Sequence, residues 1–286
     1  MKIAFIGAGK VSTALGLYFK DKGFEIQGYY SRNPKSAEKA AQLTRSCPCT
    51  SLDTLIGNSQ MIWITTPDDQ IKNVVQQISN LPILDKNKKL VLHASGVHSL
   101  AILQPLKEIG YQTACAHPLL AFNDPFLAKE KLNEVWFGIE KSKNGNKRLT
   151  DFFNACGNKT LYIDSNKKVL YHTAACVLSN YLVTLLNASY EIFEKSGVEK
   201  SDIQKATLPL LESVINNLKD KDCKEALTGP IKRGDQKTVK MHIERLKAFM
   251  PEMLELYTLM GKETEKMLED ENQKKLEIRN QKSEGE

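Results

Sequence analysis

Short apolar runs alternate with amphipathic segments over the first 164 residues of the chain. After each run, apolar residues recur at helical spacing, the pattern of buried strands joined by crossover helices. The predicted strands are Lys2–Ile6, Glu25–Tyr30, Met61–Thr65, Lys89–His93, Gln112–Ala116, Val135–Glu140 and Thr160–Ile163. The predicted helices are Lys10–Lys22, Pro34–Leu43, Asp69–Ile78, Ser99–Ile109 and Lys147–Cys156. This alternation predicts an α/β fold with a doubly wound parallel sheet.

The strand signals stop after Ser165, and the rest of the chain has helical patterns only. Residues 169–190 carry no formal charge and are long enough to cross a bilayer. Polar residues such as Asn187 interrupt them, so we expect a helix buried by protein on most sides and no membrane contact. We predict three parts: the sheet domain at 1–164, an all-helical domain at 165–270, and a charged, disordered tail at 271–286.

Composition narrows the classes of partner. The 286 residues have a net charge of +6 and are 41% hydrophobic, which suits a soluble two-domain protein. Lysines are interleaved with acidic residues, so no basic stripe favours nucleic acid. The six cysteines include no Cys-x-x-Cys pair, and we predict no metal site. Free thiols and the absence of an apolar leader predict a cytoplasmic protein.

A glycine turn follows the first predicted strand directly. Its residues are Gly7, Ala8, Gly9, Lys10, Val11 and Ser12. Gly7 permits the tight turn, Gly9 lets a pyrophosphate approach the backbone, and the helix start binds the anion. Ser12 stands where this fingerprint has a third glycine or alanine. The position after an N-terminal strand nevertheless predicts a dinucleotide site.

The end of the second strand identifies the dinucleotide. An NAD-binding domain has an acidic residue here for the ribose hydroxyls, whereas this chain has Ser31, Arg32 and Asn33. A hydroxyl and a guanidinium suit a 2′-phosphate. A solvated arginine in a turn is the bland alternative, but the position favours NADP(H) as the cofactor.

Polar residues stand at the ends of three further strands, the edge where open α/β sheets bind ligands. We predict cofactor contacts from four residues of these loops and strand ends and substrate contacts from three others. The cofactor group is Thr65, Thr66, Pro67 and His93, and the substrate group is Ser95, Gly96 and His117. The first loop can also be explained as a helix start with proline in its first turn.

A second cluster lies on the long uncharged helix. Lys168 and His172 are four residues apart and therefore share a helix face, and Asn180 follows two turns later. Alternatively, Lys168 is a solvated first-turn residue while His172 and Asn180 form hydrogen bonds inside a helical core. We interpret the stripe as part of a cleft, with Lys168 or His172 as the catalytic proton donor and Asn180 as a substrate ligand.

These motifs resemble a superfamily of NADP-dependent oxidoreductases that includes pyrroline-5-carboxylate reductase and 6-phosphogluconate dehydrogenase. The segments His93-x-Ser95-Gly96, His117-Pro118, Lys168-x-x-Tyr171-His172 and Thr228-Gly229-Pro230 are similar to an uncharacterised bacterial family within it. That family joins a Rossmann-like domain to a helical domain of unknown function. The resemblance implies an NADP-binding domain followed by a 6-phosphogluconate-dehydrogenase-like helical domain that contributes to the cleft and forms a homodimer.

The departures from the better-known relatives limit what the resemblance implies. β-Hydroxyacid dehydrogenases place asparagine four residues after the helix lysine, where this chain has His172. The loop Thr228–Asp235 also differs from that of pyrroline-5-carboxylate reductase, which argues against proline synthesis. The substrate of this protein therefore cannot be inferred from the substrates of either group.

The sequence predicts an NADP(H)-dependent oxidoreductase acting on a small carbonyl or imine compound. Three alternatives remain open. A non-catalytic, regulatory NADP-binding protein would bind the cofactor without turnover. A deazaflavin-dependent NADP reductase would need a second flat pocket. An S-adenosylmethionine methyltransferase would favour an acidic residue where Arg32 stands.

Overall fold

The computed structural model describes residues 1–140 and 147–283, with side chains as far as 269. It divides into two compact units, Met1–Ser179 and Asn180–Glu286. The predicted domain boundary at 164/165 therefore lies earlier than the division between the units. Lys168 and His172 belong to the first unit and Asn180 to the second.

The first unit is built on one sheet with the strand order β3-β2-β1-β4-β5-β6-β7-β8. Its strands are β1 Lys2–Ile6, β2 Glu25–Tyr30, β3 Cys47–Pro48, β4 Met61–Ile64, β5 Leu90–His93, β6 Gln112–Pro118, β7 Trp136–Glu140 and β8 Lys159–Ile163. The order reverses between β1 and β4, which creates the switch point where such sheets form a ligand crevice. The doubly wound fold class is confirmed.

In the part of the chain that the structure describes, seven α-helices connect these strands, and an eighth follows β8. They are α1 Lys10–Asp21, α2 Pro34–Thr44, α3 Leu52–Gly57, α4 Ile71–Ser79, α5 Gln104–Glu108, α6 Pro125–Lys131, α7 Lys147–Cys156 and α8 Lys168–Cys176. Side-chain caps explain several starts: Asn33 accepts a hydrogen bond from the Lys35 amide, and Asp124 accepts from the Phe126 amide. The expectation of a fully parallel sheet needs one correction, because β7 runs antiparallel to β6. The chain turns back through α6, and only then does the parallel β7–β8 pair form.

Apolar side chains fill the space on both faces of the sheet. Phe5, Phe19 and Trp63 are fully buried on one face, where the Phe19 ring lies 5.6 Å from Trp63. Ile62 and Val91 belong to a second buried cluster. Burial of apolar strands on both faces is what a sheet covered by crossover helices requires.

The second unit is helical throughout its described residues. Its helices are α9 Leu182–Lys195, α10 Lys200–Asp220, α11 Cys223–Ala226, α12 Gln236–Phe249 and α13 Leu254–Ser283. Helix α13 extends to Ser283, into the segment that was predicted to be a disordered tail. A segment rich in lysine and glutamate also has a high helix propensity. The last three residues of the predicted tail lie outside the described part of the chain.

The helical run Ser165–Lys195 begins in the first unit and ends in the second. In the described part of the chain it is the one helix long and apolar enough to cross a membrane. None of its most apolar window is buried, so the prediction of a helix covered by protein on most sides is wrong for the single chain. The sequence of this helix shows that it is apolar. It does not show whether residues of the same chain cover it.

Candidate functional site

The glycine turn joins the ends of three strands in the first unit. The Gly7 amide donates to the Tyr30 carbonyl at 2.8 Å, and the Thr65 amide donates to the Ile6 carbonyl at 2.8 Å. Gly7 has a φ of +105°, and a Cβ there would lie 2.7 Å from the carbonyl of Thr65 and 2.8 Å from the Thr66 amide nitrogen. Only glycine permits this approach of the two loops.

A cavity of about 450 Å³ opens above this turn. We name it the turn cavity, and its lining is Ile6, Gly7, Ala8, Gly9, Val11, Tyr30, Ser31, Arg32, Ser36, Thr65, Thr66, Pro67, Gln70, Asn73, Val74 and Gln77. A Cβ on Gly9 would meet no atom within 4 Å, so there is open space directly beside the helix start. Such space next to exposed amides is suited to phosphate groups.

Arg32 is the one charged residue among those that line the turn cavity. Its Nη1 donates to the amide oxygen of Gln70 at 3.3 Å. Among the described residues, no carboxylate forms an ion pair with it. The cavity therefore presents a positive charge that protein groups do not neutralise, at the position predicted for a 2′-phosphate.

A second cavity of about 390 Å³ shares Val11, Thr65, Thr66 and Pro67 with the turn cavity, so the two adjoin. We name it the histidine cavity. The rest of its lining is Ile64, Asp68, Ala94, Ser95, Gly96, His117, Pro118, Leu120, Phe122 and His172. Four residues of the predicted substrate and catalytic sets therefore meet here: Ser95, Gly96, His117 and His172.

Two histidine rings pack against Gly96 in this cavity. His117 and His172 lie with ring centroids 5.9 Å apart and nearly perpendicular. A Cβ on Gly96 would lie 2.3 Å from His172 Cδ2 and 3.0 Å from His117 Nε2. Burial, followed by the charges of His172 and Lys168, lowers the pKa of His117 to about 4. His117 is therefore neutral at physiological pH.

The hydroxyl of Ser95 is oriented by the loop that follows β5. Its Oγ accepts hydrogen bonds from the amides of Val97 at 3.2 Å and His98 at 3.1 Å. Because the oxygen already accepts twice, the hydroxyl hydrogen is available as a donor. Ser95 is buried and lines the histidine cavity, where this hydrogen could be donated to a ligand.

Lys168 does not line either cavity. It is 1% exposed, and its Nζ lies 3.0 Å from Sγ of Cys115. Burial raises the pKa of the Cys115 thiol, while Lys168 lowers it in part. The charge of Lys168 lowers the pKa of His117, and it adds to the burial that lowers the pKa of His93 to about 3. In this structure Lys168 acts on the site through electrostatics and not by contact.

Five other predicted site residues also lie outside the linings. Lys10 is exposed and bonds to Asn123, Ser12 donates to the Gly9 carbonyl, and Asn33 caps α2. His93 is fully buried beneath the loops. Asn180 lies in the second unit, in the π-helical turn Val177–Tyr181, which interrupts the 3.6-residue repeat behind the predicted stripe.

Residues that support the histidines lie outside the set predicted from the sequence. The Tyr171 hydroxyl lies 3.0 Å from Nδ1 of His117. Gly138 in β7 makes room for it, because a Cβ there would lie 2.6 Å from that hydroxyl. Cys115, the partner of Lys168, stands two positions before His117 and could have been noticed from the alternation of strand β6. Among the described residues, no group of three or more His, Cys, Asp or Glu could hold a metal ion.

Comparisons with solved structures agree with this architecture. A candidate NADP oxidoreductase from Bacteroides fragilis is 23% identical, with a TM-score of 0.73 over 93% of this chain and 98% of that chain. A Thermotoga maritima protein is 25% identical, with a TM-score of 0.72 over 94% and 99%. Plasmodium falciparum pyrroline carboxylate reductase with NADP bound is 15% identical, with a TM-score of 0.59 over 93% and 98%.

No curated protein matches the sequence. Two family models do match it, and together they account for most of the chain. Residues 1–118 match a Rossmann-like domain, and residues 135–264 match the domain of unknown function DUF2520. These matches agree with the resemblance seen in the sequence: a Rossmann-like domain in the first part of the chain, followed by a segment similar to DUF2520.

Proposed function

We propose that this protein is an NADP(H)-dependent oxidoreductase that transfers a hydride to or from a small carbonyl or imine compound. The observation that carries the proposal is the junction of the two cavities at Val11 and the loop Thr65–Pro67. An elongated ligand whose phosphates bind at the glycine turn can reach both Arg32 and the histidine cavity. Dinucleotides have this extended form, with a reactive ring at one end.

The residues present fit NADP(H). Gly7 and Gly9 leave the backbone open to a pyrophosphate, and Arg32 supplies the charge for a 2′-phosphate. The hydroxyl of Thr66 is buried without a protein partner and lies where the cavities adjoin, so it can bond to the cofactor. When bound, the nicotinamide gives or takes the hydride. The protein supplies orientation and the proton.

Within the histidine cavity, we assign proton donation during reduction to His172. Its ring lines the cavity, whereas the other candidate, Lys168, is buried behind it and bonded to Cys115. Imidazole is the side chain whose ordinary pKa best suits proton exchange near neutral pH. We assign the binding and orientation of the substrate to His117 and Ser95.

The structural neighbours support an oxidoreductase of this kind. They include the NADP-bound pyrroline carboxylate reductase and a reductive aminase from Aspergillus terreus in complex with NADPH and ethyl-5-oxohexanoate. The aminase is 12% identical, with a TM-score of 0.63 over 94% of each chain, so the likeness supports the fold and leaves the substrate open.

The cofactor assignment is tested by thermal-shift titration with NADPH, NADH and S-adenosylmethionine. We expect Arg32→Ala to weaken NADPH binding about 10- to 100-fold and to spare NADH, because a charge-assisted hydrogen bond contributes roughly 1.5–3 kcal/mol. Lys35→Ala, an exposed cation outside the lining, is the matched control. Equal losses for both nicotinamide cofactors, or selective stabilisation by S-adenosylmethionine, would refute the assignment.

Turnover is then measured as NADPH oxidation against a panel of small ketones, aldehydes and cyclic imines. We expect His172→Asn to lower kcat about 100-fold or more while NADPH still binds, because general acids contribute on that scale. Tight NADPH binding with no oxidation across the panel would instead favour a non-catalytic NADP-binding protein.

We also propose that the protein is a cytoplasmic homodimer in which a second copy covers the helical unit. Val183 in α9, Leu210 in α10 and Leu259 in α13 are 66%, 64% and 55% exposed. Soluble monomers rarely expose so much apolar surface. A single bilayer-spanning helix would not account for the apolar residues of α10 and α13, whereas a helical partner would. An apolar cavity of about 410 Å³ between α9 and α13 provides space for its side chains.

A further inference from the structure

Tyr171 has no part in the hydride transfer proposed above, yet it is tightly placed. Its hydroxyl lies 3.0 Å from Nδ1 of His117, and the two rings meet edge to face with centroids 5.6 Å apart. Gly138 leaves the space that this hydroxyl occupies. The contact therefore depends on a glycine in a neighbouring strand as well as on α8.

The direction of this hydrogen bond follows from the two groups. Burial raises the pKa of Tyr171 to about 12, and burial with neighbouring charges lowers the pKa of His117 to about 4. Both groups are therefore neutral near pH 7. A phenol is a good donor and a weak acceptor, whereas an imidazole nitrogen is a strong acceptor. The tyrosine then donates to Nδ1, and the ring proton of His117 resides on Nε2.

Nε2 is on the edge of the ring that faces Gly96. It is the atom of His117 closest to the position that a Cβ on Gly96 would take, and Gly96 itself lines the histidine cavity. Ser95, the neighbour of Gly96, offers its hydroxyl hydrogen to the same cavity. The lining of the cavity thus includes two neutral hydrogen-bond donors, one from Ser95 and one from His117.

We propose that Tyr171 holds His117 in the Nε2–H tautomer, and that His117 and Ser95 together select a carbonyl oxygen over a protonated iminium nitrogen. This inference rests on the proposed function. A carbonyl oxygen has two lone pairs for two donors, and an iminium nitrogen has none. Asp68 is the one carboxylate in the lining, and it is exposed to water, which weakens its attraction for a cation. Its charge opposes only in part the burial and the positive neighbours that lower the pKa of His117.

The donors also fit the charge that develops during reduction. If NADPH were bound, a C–H bond of its nicotinamide would break, the hydride would form a C–H bond at the carbonyl carbon, NADP⁺ would remain, and the C=O π bond would break. The electron pair moves to oxygen, which takes a proton from His172. Donors placed at that oxygen stabilise the transition state more than the ground state. Tyr171 touches neither substrate nor cofactor in this scheme, so it is a positioning residue.

The tautomer is measured directly by long-range ¹H–¹⁵N NMR of the full-length protein, with His117 assigned through His117→Gln. We expect wild type to show Nδ1 as an acceptor and Nε2 as protonated. Tyr171→Phe should give a mixture of tautomers, and Tyr162→Phe, at an exposed tyrosine, should change nothing. A wild-type proton on Nδ1, or an unchanged ring in Tyr171→Phe, would overturn the proposal. The wild-type spectrum decides the tautomer even if that variant does not fold.

Substrate preference is tested with two non-reducible rings of the same size added to the NADP⁺-loaded protein. The probes are 2-pyrrolidinone, which offers a carbonyl oxygen, and pyrrolidine, which is cationic at neutral pH. We expect 2-pyrrolidinone to shift the His117 Nε2–H signal and to bind at least about tenfold more tightly, a preference that Ser95→Ala reduces. Tighter binding of pyrrolidine, or no shift with either ring, overturns the carbonyl assignment. Failure of NADPH to bind is a separate result, and it counts against the proposed function.

Discussion

The two units of this protein bury apolar side chains to very different degrees. In the first unit, residues such as Phe5, Phe19 and Trp63 are fully enclosed between sheet and helices. Among the described residues of the second unit, the buried apolar side chains are Ala188, Ile203, Leu246 and Met250. The first unit therefore contains its own core, whereas the helices of the second unit expose apolar side chains.

This difference follows from the architecture. A parallel sheet is covered on both faces by helices that the same chain supplies through its crossover connections. A set of helices has no such built-in second layer, so each apolar face has to find another helix. Both candidate cavities of the proposed chemistry lie in the unit with the complete core, where their loops are held on rigid strands.

The largest effect should come from removing a core side chain of the first unit. Phe19 packs against Trp63 and Phe152, so Phe19→Ala should lower the free energy of unfolding by about 3–5 kcal/mol. Leu218→Ala, at a half-exposed site in α10, should change it by less than about 0.5 kcal/mol in the monomer. Urea unfolding followed by far-UV circular dichroism reports on the helices of both units, so it measures both variants. An equal decrease in the free energy of unfolding for both variants would contradict the difference in burial between the two units.

A charge on the exposed face of the second unit should separate the proposed dimer. Val183→Glu should raise the dimer dissociation constant at least about 30-fold, because an unpaired charge buried in an interface costs roughly 2–5 kcal/mol. Sedimentation velocity measures this effect, with Gln42→Glu on exposed α2 as the control. A monomeric wild type that sediments with phosphatidylcholine vesicles would show that lipid covers this face instead.

Acid should act on the first unit through its buried histidine. The pKa of His93 is lowered to about 3, so the unfolded chain takes up a proton near pH 6.5 while the folded chain does not. The neutral His93 therefore does not reduce the free energy of unfolding above pH 6.5. Below that pH, the free energy of unfolding decreases by up to about 1.4 kcal/mol per pH unit. Urea midpoints at pH 7.5 and 5.5 should differ less in His93→Gln than in wild type. An identical pH dependence would contradict this role.

Local patterns predicted the features that depend on neighbouring residues. The strands of the first unit, the glycine turn and the position of Arg32 follow from the alternation of apolar runs and turns. Short elements such as Cys47–Pro48 and Leu52–Gly57 were missed because they are too brief to show a period.

The support of the site could not be predicted in the same way. Tyr171 meets His117 across 54 positions of the chain, and Lys168 meets Cys115 across 53. Helical spacing correctly places Lys168 and His172 four residues apart on α8, but it does not say which one is enclosed. The depth of a side chain depends on strands whose positions only the fold determines.

Arg32 has few contacts with the rest of the protein, so its substitution should have a local effect. The residue is exposed, bonds only to the amide of Gln70 among the described residues, and is absent from the buried core. An exchange at this position would alter the charge of the turn cavity and leave the sheet intact. Under the proposed function, a single substitution of Arg32 would change the cofactor preference without a loss of stability.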